Sequence, residues 1–301
     1  MTADAGEITP DAAVGFIGLG RMGGPMALRL AEAGYRVRGY DVRKPARDEW
    51  AAQAPRAAAA DSLAAAAEGA AAVILMLPDS SVVTDVLVGR RLLAALPAGT
   101  MVVDMSASEP WVTRELAAEA GRHEVTLMDA PVSGGVSGAA RGSLTIMAGG
   151  TSGAVRRVRA LLDVLGSRIT HVGDVGAGHA VKALNNLLSA AHLLATSEAM
   201  TVAARFGLDI PVVLEAINVS TGRSGSTEDT WPEFVLPGTF DSGFPLRLLL
   251  EDVRIALGMA ESTGTRARLS EAAEGQWADA AAALPADADH TEVARWLDPG
   301  R

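Results

Sequence analysis

Only two of the 26 basic side chains counted as Lys plus Arg are lysines, Lys44 and Lys182. Lys182 sits in GAGHAVKALNNLLSAAHLL at 176–194, which reads as a long, mostly apolar helix after a glycine-rich entry. An amine can lose its proton when desolvated, whereas a guanidinium in practice cannot. Asn185 and Asn186 follow Lys182 at spacings of three and four, which puts all three side chains near one helix face. An apolar cleft would lower the amine's pKa and make Lys182 a general acid/base, with Asn186 orienting a substrate hydroxyl or carbonyl. The plain alternative is a lysine that snorkels to water from a helix surface. His179, three residues earlier, reads as a surface residue of the helix N-terminus and stays outside the catalytic set. Asp209, His192 and Glu215 read as solvated or local helix features.

A second constellation is Gly18-Leu19-Gly20-Arg21-Met22-Gly23, where the apolar run VGFIG at 14–18 turns into a helix. In a strand–turn–helix setting, such glycines permit a tight turn and a close approach of backbone to a pyrophosphate. The helix N-terminus adds unpaired N–H groups and positive partial charge. Asp41 follows at the end of the next strand, where an acid can accept both ribose hydroxyls of NAD and repel a 2′-phosphate. Arg43 and Lys44 could partly offset that repulsion, so NAD is favoured and NADP stays possible. The alternative is a glycine-rich turn in a fold that binds no nucleotide.

A third is Asp129-Ala130-Pro131-Val132-Ser133-Gly134-Gly135, at the C-terminal end of another apolar run. Ligands of open α/β sheets bind at that edge. Consecutive amides at Ser133, Gly134 and Gly135 can hold a carboxylate, as backbone nests do. An ordinary glycine-rich turn explains the letters equally well.

The elements that must carry these groups are legible. Strands are expected at 14–18, 35–41, 71–77, 100–106, 125–131 and 143–150, alternating with helices such as 22–33. That alternation means a mostly parallel, doubly wound sheet covered on both faces. From about residue 176 the pattern is helical: 176–207, 210–219, 245–263, 266–283 and a short piece at 291–297. A loop rich in Gly, Ser, Thr and Pro at 220–243 interrupts it. The expected architecture is an α/β Rossmann-type domain at 12–174 followed by an all-helical substrate and oligomerisation domain at 175–301.

Composition narrows the function classes. The 301 residues are 49% hydrophobic and 21% charged, with a net charge of −10, which fits a globular chain without a nucleic-acid surface. No apolar run reaches the roughly 20 residues of a membrane span without a charge or Gly/Pro. The start, MTADAGEITPDAA, lacks the basic and apolar regions of a signal peptide and reads as a short disordered tail. With no cysteine, disulfides, thiolate metal sites and cysteine nucleophiles are excluded, and no metal is expected. The default location is cytoplasmic.

Together the motifs resemble the β-hydroxyacid dehydrogenase family, which includes 3-hydroxyisobutyrate dehydrogenase and tartronate semialdehyde reductase. GFIGLGRMGGPMA resembles the family's cofactor signature, DAPVSGG its substrate-binding motif and GAGHAVKALNN its catalytic motif. The resemblance spans about 14–260, and NVSTGRS at 218–224 looks like a segment of the family's substrate cleft. It implies reversible hydride transfer between NAD(P) and C3 of a small 3-hydroxy acid, with Lys182 as general acid/base and Asn186 binding substrate. Ser133, Gly134 and Gly135 would hold the carboxylate, and Leu77, Pro78 and Ser106 would line the cofactor site. Homodimers or homotetramers are implied as well. Two departures stand out: Glu251-Asp252 where the family commonly has Lys-Asp, with Arg247 or Arg254 as candidate compensators, and Ala107 where it tends to have Thr. The competing readings are a C=N reductase resembling imine reductases, which usually lack lysine at this position, and a cofactor-binding sensor without turnover. A decarboxylating sugar-phosphate dehydrogenase would need a much longer helical domain.

Overall fold

Strands β1 (Ala13–Ile17), β4 (Ala72–Leu75) and β5 (Met101–Asp104) are apolar almost throughout because both their faces are covered. Phe16, Ile74 and Val103 join one buried cluster, while Ile17, Val73, Leu75 and Val102 join another. This alternation is the strand period of two, with each face packed on helices. The computed structural model describes residues 6–298. The chain folds into two compact units, one through Lys182 and one from Ala183 onward.

In the first unit, β2 (Arg36–Tyr40), β3 (Ala57–Ala59) and β6 (Thr126–Asp129) complete a parallel set in the order β3-β2-β1-β4-β5-β6. This is the doubly wound nucleotide-binding order, whose topological switch lies between β1 and β4. Helices α1 (Gly23–Glu32), α2 (Lys44–Ala51), α3 (Leu63–Ala67), α4 (Ser80–Thr84), α5 (Leu92–Ala95) and α6 (Pro110–Arg122) make the crossovers. A π-helical turn, Asp85–Gly89, extends α4.

The far edge differs from expectation. After β7 (Val132–Ser133) and α7 (Gly135–Arg141), β8 (Leu144–Gly149) pairs antiparallel with both β6 and β7. Then α8 (Ser152–Arg157) and α9 (Arg159–Leu165) lead into β9 (Gly166–Gly173), which runs parallel to β8. β3, β7 and β9 carry little sequence signal. β3 is three alanines, β7 has two residues, and β9 is largely exposed, so it lacks an apolar alternation.

Residues 1–5 of the expected disordered tail lie outside the described residues. The rest of that segment is docked, not disordered. Ile8 is buried, its N–H donates to the Arg157 carbonyl at 2.8 Å, and its carbonyl accepts the Tyr35 hydroxyl at 3.1 Å.

Helix α10 (Ala177–Arg205) contains the divide between the units, just after Lys182. By length and apolar composition its 29 residues could cross a membrane. Ala190, Leu193, Leu194 and Met200 instead join the core of the second unit. That unit continues with α11 (Ile210–Asn218), α12 (Leu246–Ser262), α13 (Arg268–Ala283), a 3₁₀ turn at His290–Glu292 and α14 (Val293–Leu297). Two buried tryptophans tie it together. Trp277 Nε1 donates to the Ala190 carbonyl and Trp231 Nε1 to Ser197 Oγ, both at 3.3 Å.

The stretch 220–243, expected as a loop, holds a ten-residue π-helix, Ser226–Val235. Its composition hid it, because Pro232 lies inside and Gly, Ser and Thr surround it. The wider turn is visible in the bond from Leu236 N–H to the Trp231 carbonyl, five residues back, at 2.8 Å.

Candidate active site

The glycine loop assigns each glycine a separate task. Gly18 turns with φ +97°, and a Cβ there would lie 2.2 Å from the Met76 carbonyl oxygen. A Cβ on Gly23 would lie 1.9 Å from the Gly18 carbonyl oxygen, so α1 can pack on β1 only with glycine there. A Cβ on Gly20 would meet no atom within 4 Å, so this position faces open space rather than packing. Turn, clearance and packing are the three roles a pyrophosphate-binding loop requires, so the loop fits a dinucleotide. Leu19 is buried, Met22 half-buried and Arg21 exposed. A cavity of about 500 Å³ reaches the loop at Leu19, Gly20 and Arg21, with Arg43, Trp50 and Ala140 among its walls.

Asp41 directly follows β2 and is nearly buried. Its Oδ2 accepts the Leu19 N–H at 3.0 Å, and its Oδ1 accepts the Arg43 N–H at 2.9 Å and Arg43 Nε at 3.3 Å. Lys44 pairs instead with Asp48 at 2.7 Å, at the surface. Leu77 and Ser106, at the ends of β4 and β5, meet directly: the Leu77 N–H donates to Ser106 Oγ at 3.0 Å. Pro78 is exposed beside them.

Asp129 ends β6 and is fully buried. Its Oδ1 accepts the Gly176 N–H at 2.6 Å, and its Oδ2 accepts the His179 N–H at 2.8 Å. A carboxylate thus receives the first turn of α10, where unpaired amides and the helix dipole favour negative charge. Burial pushes the Asp129 carboxyl upward, while His179 and the two backbone donors pull against it. Gly178 permits the close approach, since a Cβ there would sit 2.2 Å from the Met147 carbonyl oxygen and 2.8 Å from Asp129 Oδ2. In the same motif as Asp129, Ser133 ends β7, and Gly134 and Gly135 turn into α7 with φ +127° and +61°.

His179 is 1% exposed, which corrects its reading as a surface residue. Its Nε2 lies 3.1 Å from the Ser106 carbonyl, which only accepts, so Nε2 carries a proton. Its Nδ1 lies 2.8 Å from the Thr113 hydroxyl, and Asp129 and Asp104 carboxylate oxygens stand 3.8 and 3.9 Å from the ring nitrogens. Asp104 is the register partner of Asp129 on the adjacent strand, and it accepts the Ser106 N–H and the Ser108 hydroxyl. The sequence signal for this group was two apolar strands, each closed by an aspartate. Only the register shows that they meet.

Lys182 lies one turn beyond His179 on α10 and is half-buried. In the second unit, Asn186 is buried. It accepts from Asn185 at 3.1 Å and donates to Asp252 Oδ2 at 2.5 Å. The two arginines considered as compensators for Glu251 have other bonds. Arg254 pairs with Glu274 at 2.8 Å, and Arg247 donates to the Ala281 carbonyl at 3.0 Å.

Sheet order and glycine loop together define a dinucleotide-binding domain. Residues 13–173 match the NAD-binding domain of 6-phosphogluconate dehydrogenase, and residues 176–297 match the NAD-binding domain of NADP-dependent 3-hydroxyisobutyrate dehydrogenase. Among curated relatives, 2-(hydroxymethyl)glutarate dehydrogenase of Eubacterium barkeri is 38% identical over 245 residues, covering 81% of each chain. Mitochondrial 3-hydroxyisobutyrate dehydrogenase of Drosophila melanogaster is 36% identical, covering 84% of this chain and 79% of its own. The solved Mycobacterium tuberculosis 3-hydroxyisobutyrate dehydrogenase with L-serine superposes with a TM-score of 0.88 at 34% identity, covering 95% of this chain and 98% of its own. The chain belongs to the β-hydroxyacid dehydrogenase family. It is an NAD(P)-dependent dehydrogenase acting on CH–OH groups.

Proposed function

We propose that the protein interconverts a small 3-hydroxy acid and its semialdehyde, with NAD as the preferred cofactor and Lys182 as the general acid/base. One observation carries this reading most directly. The carboxylate of Asp129, in the motif that leads to Ser133, Gly134 and Gly135, is bonded to the first turn of the helix that carries Lys182. The domain reading that goes with it is a cofactor-binding part at 12–174 and a helical part at 175–301.

In this mechanism the amides of Ser133, Gly134 and Gly135 hold the substrate carboxylate, and Asn186 orients the hydroxyl. During oxidation Lys182 Nζ takes the hydroxyl proton, and during reduction it returns that proton. Hydride transfer would be the chemistry supplied by a nicotinamide cofactor held there. Gly18, Leu19, Gly20, Arg21, Met22 and Gly23 would cradle its pyrophosphate, Asp41 would accept the ribose hydroxyls, and Leu77, Pro78 and Ser106 would border the ring. Asp41 supports NAD over NADP, although Arg43 stands close enough to meet a 2′-phosphate.

Relatives named as hydroxy-acid dehydrogenases, at 34% to 38% identity, favour this reading over reduction of a C=N bond. Association into homodimers or homotetramers is supported by exposed apolar side chains of the helical unit, Phe206 at 81% and Val202 at 68%. The proposed setting is cytoplasmic, without membrane or nucleic-acid partners.

The test is NAD-dependent oxidation of 3-hydroxyisobutyrate, 2-(hydroxymethyl)glutarate, 3-hydroxypropionate, glycerate and L-serine at alkaline pH. NADP and Lys182→Ala are run in parallel. Turnover of one acid, with a loss of about 10²-fold or more in the variant, is the expected result for a general base. Tight NADH binding with no acid oxidised and no matching semialdehyde reduced would return the protein to the sensor reading.

A further inference from the structure

The fold does not need a histidine at position 179 to start α10. Asp129 already takes the Gly176 and His179 backbone amides, and that cap is independent of the imidazole. Yet the ring is buried at a polar junction, where an unsatisfied group is costly. What the imidazole adds is a set of side-chain bonds. Nε2 reaches the Ser106 carbonyl beyond β5, and Nδ1 reaches Thr113 on α6. Ser106 in turn holds the Leu77 amide beyond β4 through its hydroxyl and is held by Asp104 through its own amide. One ring therefore ties the first turn of α10 to the end of β5 and to α6, and through Ser106 to the end of β4, and Lys182 stands one helical turn further along.

We propose that His179 is a positioning residue, which clamps the first turn of α10 to the Ser106 segment and so sets where Lys182 Nζ points relative to the nicotinamide edge of the sheet. This rests on the acid/base reading of Lys182. The ring is not a catalytic residue, because its nitrogens are committed to Ser106 and Thr113. The clamp joins a residue implied at the cofactor edge, Ser106, to the helix of the proposed acid/base. Loosening it should misdirect the amine while leaving the glycine loop and Asp41 untouched. An ångström of misplacement is enough to lower a rate by up to about 10²-fold.

The experiment compares His179→Leu with His179→Gln. Leucine fills similar volume and donates nothing, whereas the glutamine amide can still donate to the Ser106 carbonyl. For His179→Leu the expected result is a kcat at least about tenfold lower, with KM for the hydroxy acid and Kd for NADH within about threefold of wild type. His179→Gln should regain at least about a third of the lost kcat. The two lysines supply a readout that needs no substrate. Labelling by acetic anhydride, read by mass spectrometry, gives the reactivity of Lys182 relative to Lys44. The clamp requires that ratio to change at least about threefold in His179→Leu and to return toward wild type in His179→Gln.

A folded His179→Leu with wild-type kcat and wild-type labelling overturns the proposal. So does a kcat loss matched by an equal loss of NADH affinity that glutamine does not rescue. If His179→Leu is not recovered folded, Thr113→Val carries the test. It removes the Nδ1 partner, together with that hydroxyl's bond to the Glu109 carbonyl one turn back, and a ratio and kcat equal to wild type would overturn the clamp. A wild type that oxidises no hydroxy acid refutes the acid/base reading of Lys182 instead, and the labelling ratio still decides whether the clamp exists.

Discussion

The backbone amide of Leu19 donates to the carboxylate of Asp41 across 22 residues of sequence, at 3.0 Å. The acid that should choose the cofactor thus also shapes the loop that should hold it. Asp41→Ala is expected to weaken NADH binding by about tenfold or more, the scale of a lost charge-assisted hydrogen bond. Because Arg43 loses its carboxylate partner in this variant, the ratio of NADP to NAD activity should rise. Fluorescence titration and paired kcat/KM values check both, and an unchanged ratio would remove the argument for NAD.

Gly20 and Gly23 should separate cofactor binding from folding. Gly23→Ala drives a methyl to within 1.9 Å of the Gly18 carbonyl oxygen, so the thermal midpoint and NADH binding should fall together. Gly20→Ala meets no protein atom within 4 Å. Its midpoint should stay within about 2 °C, because surface changes away from packing cost little, while NADH affinity drops about tenfold or more. Scanning calorimetry with and without NADH distinguishes the two outcomes.

Lys182→Arg decides between an acid/base and a snorkelling cation. A snorkelling lysine tolerates arginine, which keeps the charge and the apolar stem. A proton-transferring amine does not, so kcat should fall by about 10²-fold or more, with NADH affinity preserved. Near-normal kcat in the arginine variant would sink the assignment.

Asp289 should make the helical unit sensitive to acid. Burial alone would raise its carboxyl, but bonds with His290, Thr291 and Ser242 hold it far below the usual range. Its Oδ1 caps the 3₁₀ turn through the Thr291 amide at 3.0 Å. A carboxylate depressed in the folded state stabilises above its unfolded pKa of about 4, and that contribution fades as pH falls below it. Asp289→Ala should therefore cost about 1 kcal/mol at pH 7, the usual loss for a cap. The gap from wild type should narrow steadily below about pH 4, as followed by denaturant titration across pH.

Much of this protein is legible without coordinates. The run VGFIG before Gly18-Leu19-Gly20-Arg21-Met22-Gly23 announces a strand, a turn and a helix, because glycine spacing and apolar period are local properties. The same holds for β4, β5, β6 and the change to helices near residue 176, and the rarity of lysine singled out Lys182. Other features depended on which residues meet. Nothing local marks β9, and nothing local shows that β8, itself legible as a strand, runs antiparallel, since strand direction depends on partners and not on composition. The π-helix at Ser226–Val235 was hidden because a proline and small polar residues read as a loop, whereas in the fold Trp231 within it is buried and its carbonyl accepts the Leu236 amide five residues on. His179 is the sharpest case. Its letter and spacing suit a solvated helix end, and only the register that sets Asp104 beside Asp129 turns it into a buried junction. Sequence by itself determines the local conformations and the chemistry on offer. The tertiary structure decides which of those groups lose water and face one another, because burial and partnership belong to the whole sheet and not to any single segment.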